Sequence, residues 1–226
     1  MIVVPVKNLA AAKQRLSTVL SPEQRLALAQ AMCEDVLQEV AHWRGGTPVA
    51  VVTGDSFAGG LAARFGFEVI ADKHDPGETG AIEMATALCC QRGETKTLVV
   101  PADIPLIERD EIARILESAP SNGALLVPDA AGRGTNAAFR APGDLFPLRF
   151  GNDSFLPHLA AAKATGLPCV VLELPGIARD IDRPEDLQEL ASARGERLSQ
   201  RLVRTWNPNL WKLDRGNLDR REWVAG

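Results

Sequence analysis

Ala124-Leu125-Leu126-Val127-Pro128, Asp129-Ala130-Ala131-Gly132-Arg133-Gly134 and Thr135-Asn136-Ala137-Ala138-Phe139-Arg140 follow one another without interruption. The outer two runs are strand-like, and the glycine-rich run between them leaves no room for a helix. Strands joined so directly lie antiparallel, since a parallel pair needs a crossover of a dozen or more residues. Upstream the rhythm is the opposite. Ile2–Val6, 48–53, Glu68–Ala71 and 97–101 are continuous apolar runs separated by helical segments. Such strands imply a parallel sheet covered on both faces. The expected fold is therefore α/β, a three-layer, mostly parallel mixed sheet with an antiparallel insertion at 135–140.

The helices carry their own signals. Ser21-Pro22-Glu23-Gln24 supplies a capping serine, a proline at the first helical position and a glutamine three residues after the cap. Leu26, Ala29, Met32, Cys33, Val36, Leu37 and Val40 follow at helical spacing and mark one buried face. Residues 80–91, Arg109–Ser118, 154–165 and 184–193 read as further helices, and 169–174 as extended. No internal repeat and no serine-, glycine- or proline-rich linker divides the chain, so residues 1–195 read as one domain. The periodicity of 196–226 is poor, yet this segment holds Trp206, Trp211 and Trp223, three of the four tryptophans. It reads either as a loose tail or as an arm docked on the domain or on a second subunit of a homodimer, tryptophan being a favoured anchor.

The totals exclude several classes. With 226 residues, 46% of them hydrophobic and 24% charged, the chain is of ordinary globular composition. No stretch approaches the ~20 apolar residues of a membrane span, and Met1–Val6 followed by lysines reverses the order of a signal peptide. A net charge of −4 without a basic run argues against a nucleic-acid surface. Cys33, Cys89, Cys90 and Cys169 form no C-x-x-C pair, and His42, His74 and His158 have no metal-ligand spacing. Buried thiols in a reducing compartment fit best. A cytoplasmic enzyme is the expectation.

In open α/β sheets, ligands bind beyond the carboxyl ends of the strands. Lys7, Lys13 and Arg15 follow the first strand, Asp103 follows 97–101, and Asp180 and Asp182 follow 169–174. Cations at one strand end and carboxylates at two others suit a metal-bound polyphosphate, since magnesium binds through one or two carboxylates plus phosphate oxygens. Singly, each is ambiguous: the cations could be surface charges, Asp103 a cap for 104–109, and Asp182 an N-cap. A second cluster comprises Thr135 at the end of the glycine-rich loop and Arg149-Phe150-Gly151-Asn152-Asp153-Ser154 leading into a helix. Free backbone N–H groups and a hydroxyl make such a helix start a natural anion site, or an ordinary turn and cap.

In these residues the sequence resembles the 2-phospho-L-lactate guanylyltransferase family. The resemblance runs from residue 1 to about 190. It is carried by Val4-Pro5-Val6-Lys7, Ala12-Lys13-Gln14-Arg15-Leu16 and Ser21-Pro22-Glu23-Gln24-Arg25. Pro101-Ala102-Asp103-Ile104-Pro105-Leu106, Gly134-Thr135-Asn136-Ala137, and Arg149-Phe150-Gly151 with Ser154 and His158 continue it. It closes on Asp180-Ile181-Asp182-Arg183-Pro184-Glu185-Asp186-Leu187. It implies a glycosyltransferase-A-like nucleotidyltransferase fold over residues 1–195, GTP and Mg2+, and a role in deazaflavin coenzyme factor 420 biosynthesis. By resemblance, Asp103, Asp180 and Asp182 hold the metal, Lys7, Lys13 and Arg15 contact the nucleotide, and Thr135, Gly151 and Ser154 hold a small phosphorylated acid. Lys13, Arg15 and Asp103 carry the catalysis. That acid is 2-phospholactate, phosphoenolpyruvate or 3-phosphoglycerate among family members.

Two departures stand out. Gln14 replaces the serine or threonine usual between the lysine and arginine, and residues 75–84 lack a glycine–leucine–asparagine element expected near position 82. The implied reaction needs no general base, because a phosphomonoester with a second pKa near 6 is mostly dianionic at pH 7. The rival readings are a nucleotidyltransferase of the same fold using CTP or a molybdopterin acceptor, and a non-catalytic nucleotide-sensing module.

Overall fold

The computed structural model describes residues 1–43, 45–72, 77–151 and 153–206. Seven strands form one sheet: β1 (Ile2–Val6), β2 (Val49–Thr53), β3 (Glu68–Ala71), β4 (Thr97–Val99), β5 (Gly123–Pro128), β6 (Thr135–Ala141) and β7 (Cys169–Val171). Their order is β3-β2-β1-β4-β6-β5-β7. β1 pairs in parallel with β2 and β4, β2 with β3, and β5 with β7. Only β6 runs the other way, antiparallel to both β4 and β5. The glycine-rich loop therefore makes the antiparallel insertion expected from the sequence. At Gly134 a Cβ would lie 2.8 Å from Asp129 Oδ2, so any larger residue there would push the Asp129 side chain aside.

The helices are α1 (Pro22–His42), α2 (Ser56–Arg64), α3 (Gly77–Gln91), α4 (Arg109–Ser118), α5 (Phe155–Ala164), α6 (Pro184–Ser192) and α7 (Leu198–Trp206). α1 opens on the expected reciprocal cap: Ser21 Oγ accepts from Gln24 N at 3.3 Å, and Gln24 Oε1 accepts from Ser21 N at 2.9 Å. Side chains alternate across β1. Ile2, Val4 and Val6 face α1, α2 and α4 in one core, and Val3 faces α3 and α5 in the other. A strand buried on both faces suits this continuous apolar run, Ile2-Val3-Val4-Pro5-Val6, and β1 is buried at every position. Among the described residues no helix is long and apolar enough to cross a membrane.

α7 begins two residues beyond the expected start of the tail. It packs on α1 and α6, with Val203 buried against Leu28, Met32, Leu187 and Leu190. Asp35, from the middle of α1, caps it across the structure. Its carboxylate accepts from Leu198 N and Ser199 N at 2.9 Å and from Ser199 Oγ at 2.5 Å. The poor periodicity of 196–226 thus concealed a helix whose first turn is satisfied from outside its own sequence. Trp211 and Trp223 lie outside the described residues.

Asp35→Ala leaves two helix-start N–H groups unpaired, one of them buried, at about 1–3 kcal/mol. The expected outcome is a lower denaturation midpoint and earlier hydrogen exchange in Leu198–Trp206 than in the rest of the domain, measured by denaturant titration and amide exchange.

Candidate functional site

The strand order changes direction between β1 and β4, so the loops after these strands diverge and leave a crevice at their carboxyl ends. β6 is reversed, so its first residues, Thr135 and Asn136, lie at that same end. A cleft of about 570 Å³ opens there, lined among others by Arg15, Asp103, Thr135, Asn136, Gly151, Ser154, Asp180 and Asp182. Its size is that of a small-molecule site.

One wall is ionic. Lys13 lies in the loop after β1 with left-handed backbone, φ 56° and ψ 37°, a conformation that costs a non-glycine residue energy and clusters at functional sites. Its side chain is 7% exposed, and Nζ reaches Asp103 Oδ2 at 2.9 Å and Asp182 Oδ1 at 2.8 Å. Arg15 adds a longer contact to Asp182 Oδ2 at 3.3 Å. Burial works against the Lys13 charge, but the two carboxylates outweigh it and hold its pKa above the ordinary lysine value. Burial likewise pushes Asp182 up, and Lys13, Arg15 and Arg183 more than reverse that. Asp180 moves the other way. Burial and the neighbouring Asp103 raise it, despite a bond from Asn136 Nδ2 at 3.1 Å. Ile181 N donates to Asp103 O at 3.1 Å, stitching the two aspartate loops together. Neither Asp103 nor Asp182 acts as a cap: at the start of α6 Asp186 Oδ2 accepts from Asp182 N and Arg183 N, and both aspartates point to Lys13.

The opposite wall is built of hydroxyls and a loop held by side chains. Three successive amides are each bound. Leu148 N donates to Glu83 Oε1 at 2.8 Å, Arg149 N to His158 Nε2 at 2.7 Å, and Phe150 N to Thr79 Oγ1 at 3.0 Å. Glu83 is itself braced by Arg140, which is fully buried and also donates to Thr86 Oγ1 and Phe146 O. This scaffold presents Gly151, φ 125°, and Asp153, φ 55°. Lys13 and Asp153 are the only non-glycine residues with positive φ among those described, and they stand on opposite walls. Ser154 does not cap α5 with its side chain; its Oγ accepts instead from Thr135 N at 3.0 Å. Thr135 Oγ1 meets His158 Nδ1 at 2.9 Å.

Of the residues singled out from the sequence, Arg15, Asp103, Asp180, Asp182, Thr135, Gly151 and Ser154 line this cleft, and Lys13 lies directly behind Asp103 and Asp182. Lys7 is half-buried at the end of β1 and is not among the lining residues. The segment 73–76 lies outside the described residues, and with it part of the departure noted at 75–84. Asn136 and His158 appeared in the sequence only as part of a motif. The signal for His158 was its spacing: four residues after Ser154 places both on one helix face.

Burial, with the Arg140 guanidinium as the charged group facing it, pushes the His158 pKa down to about 4. The unfolded chain takes up this proton below its ordinary value near 6.5 and the folded protein does not. His158 therefore lowers stability as pH falls from about 6.5 to about 4. In His158→Gln the loss of stability over that window should be shallower, as read from denaturant midpoints at each pH.

A family model described as "Guanylyl transferase CofC like" matches residues 1–205. A phosphoenolpyruvate guanylyltransferase of Sphaerobacter thermophilus is 36% identical over 189 residues, covering 84% of this chain and 91% of that protein. A 3-phospho-D-glycerate guanylyltransferase of Colwellia psychrerythraea is 33% identical over 190 residues, covering 84% and 90%. Among solved structures, one described as a nucleotide-diphospho-sugar transferase from Desulfovibrio desulfuricans superposes with a TM-score of 0.76 over 93% of this chain and 95% of that one. Its 18% identity speaks for the fold alone.

Proposed function

Since the chain belongs to the CofC-like guanylyl transferase family, we propose that it transfers GMP from GTP to the phosphate of a small phosphorylated carboxylic acid, releasing pyrophosphate. The acid is phosphoenolpyruvate, 3-phosphoglycerate or 2-phospholactate, and the product enters deazaflavin coenzyme biosynthesis. One observation carries this reading beyond the names of the relatives. A single cleft has an ionic wall of Lys13, Arg15, Asp103, Asp180 and Asp182 facing a wall of hydroxyls at Thr135 and Ser154. The first suits a triphosphate and the second a smaller anion.

The carboxylates fit a divalent cation such as Mg2+. They are hard oxygen donors, and a positive charge, the Lys13 ammonium, already lies between two of them. Among the described residues no three His, Cys, Asp or Glu side chains converge as a complete cage. That suits magnesium, which takes one or two carboxylates and completes its shell with phosphate oxygens and water. One or two of Asp103, Asp180 and Asp182 would hold it, with Asn136 orienting Asp180. Bound, it supplies charge neutralisation on the reacting phosphates.

In this reading Lys13 and Arg15 draw the triphosphate to the ionic wall and balance the charge that grows on pyrophosphate as it leaves. Thr135, Ser154 and the backbone at Gly151 hold the acid so that its phosphate oxygen faces the α-phosphorus. The acid's dianion is already the nucleophile, so catalysis is positioning and electrostatics. His158 is not a base here, because Nε2 is spent on the Arg149 amide and the ring is neutral well below pH 7.

Scanning GTP, CTP and ATP against the three acids for pyrophosphate release tests the proposal; release with CTP, or with none of the acids, overturns it. Asp103→Asn keeps an oxygen for Lys13 but removes a charge. It should cut turnover at least about 100-fold while the melting temperature moves by only a few degrees, since the carboxylate is partly exposed.

A further inference from the structure

One backbone bond settles where His158 keeps its proton. The Arg149 N–H donates to Nε2 at 2.7 Å, and an amide nitrogen cannot accept in return. Nε2 therefore carries a lone pair, and the neutral ring has its single proton on Nδ1. That proton faces Thr135 Oγ1 at 2.9 Å. The hydroxyl oxygen accepts it, so the Thr135 O–H must point elsewhere. Ser154 reaches the same condition by another route, because its Oγ accepts the Thr135 amide at 3.0 Å and its own O–H is turned away from that bond. Both residues are buried at the floor of the cleft, and the cleft is the direction left to both protons.

We infer that His158 is a positioning residue: donating from Nδ1 to Thr135 Oγ1, it turns the Thr135 hydroxyl proton into the cleft, so that Thr135 and Ser154 present paired O–H donors to one oxyanion of the acid. This rests on the reading of that wall as the acceptor site. A hydroxyl left to itself serves as donor or acceptor and tolerates either kind of ligand atom. A hydroxyl whose oxygen is already occupied by a fixed N–H is committed to donate. The pair then favours a fully ionised carboxylate or phosphate and disfavours ligand groups that bring their own N–H or O–H. Specificity for a charged acid is thus set one residue behind the surface the acid touches. The same ring also holds the Arg149 amide, so donor direction and loop position depend on one side chain.

The tautomer is directly measurable. In the full-length protein without ligand, nitrogen-15 NMR of labelled histidine should show an Nδ1–H tautomer for the signal that His158→Gln removes. An Nε2–H tautomer overturns the inference. Two variants separate the ring's two bonds. In His158→Gln the amide oxygen reaches the Nε2 position and still accepts from Arg149 N, but Thr135 loses its donor. In His158→Asn the amide nitrogen lies at the Nδ1 position and still donates to Thr135, but the Arg149 amide loses its acceptor. His158→Gln should lower kcat/KM for the acid about 10-fold, with the KM for GTP within twofold and a near-normal melting temperature. His158→Asn should melt lower yet keep most of its kcat/KM. Acid use that simply tracks melting temperature across the two variants overturns the positioning role. An Nε2–H tautomer in a protein that turns over GTP and an acid refutes this inference alone. An Nδ1–H tautomer in a protein that makes no product with any of the three acids refutes the acceptor reading, and the specificity argument with it.

Discussion

The Lys13 ammonium, nearly buried between the carboxylates of Asp103 and Asp182, is the interaction around which the site is assembled. Lys13 and its two carboxylate partners come from the loops after β1, β4 and β7, which share no local sequence. Desolvating a lysine is costly, so the nearly buried Lys13 charge depends on its carboxylate partners. The arrangement is therefore a constraint on three loops at once. It also explains the left-handed backbone at Lys13: the strain is offset by two short charge-assisted bonds. Asp180 accepts from Asn136 Nδ2, and burial with the neighbouring Asp103 raises its pKa all the same.

The other wall depends on a topological reversal. Because β6 runs against its neighbours, the beginning of that strand reaches the end of the sheet where β1 and β4 finish. Thr135 and Asn136 can then stand beside Asp103 although more than thirty residues separate them. The loop opposite has no regular structure of its own, and its amides at 148, 149 and 150 are each satisfied by a side chain from α3 or α5. Buried backbone groups must find partners. Here Glu83, His158 and Thr79 supply them and hold Gly151 and Ser154 at the cleft. The buried Arg140 completes the frame by bracing Glu83.

Much of the fold was legible because strands and helices leave strong periodic signals. β1, β3 and α4 have the limits their residues indicate, and the reversal at β6 follows from a loop too short for a crossover. α7 was missed because its packing face is short and its cap, Asp35, comes from a helix more than 160 residues earlier. Of the site, the aspartates and basic residues were legible as charges at strand ends. Their alternative role as helix caps was equally consistent with local sequence. The tertiary structure decides between them: the carboxylates of Asp103 and Asp182 both bond Lys13 Nζ, and among the described residues neither accepts from a helix-start N–H.

By itself, then, the sequence determined the layered α/β architecture, the antiparallel strand and the set of residues available for chemistry, because hydrophobic period and turn length act over a few residues. Tertiary structure alone decided that Lys13 bridges two loops, that Ser154 serves Thr135 rather than its own helix, and that His158 is a neutral donor. Each of those outcomes depends on which group lies opposite in space, and a protonation state or hydrogen-bond direction has no signature in a linear pattern.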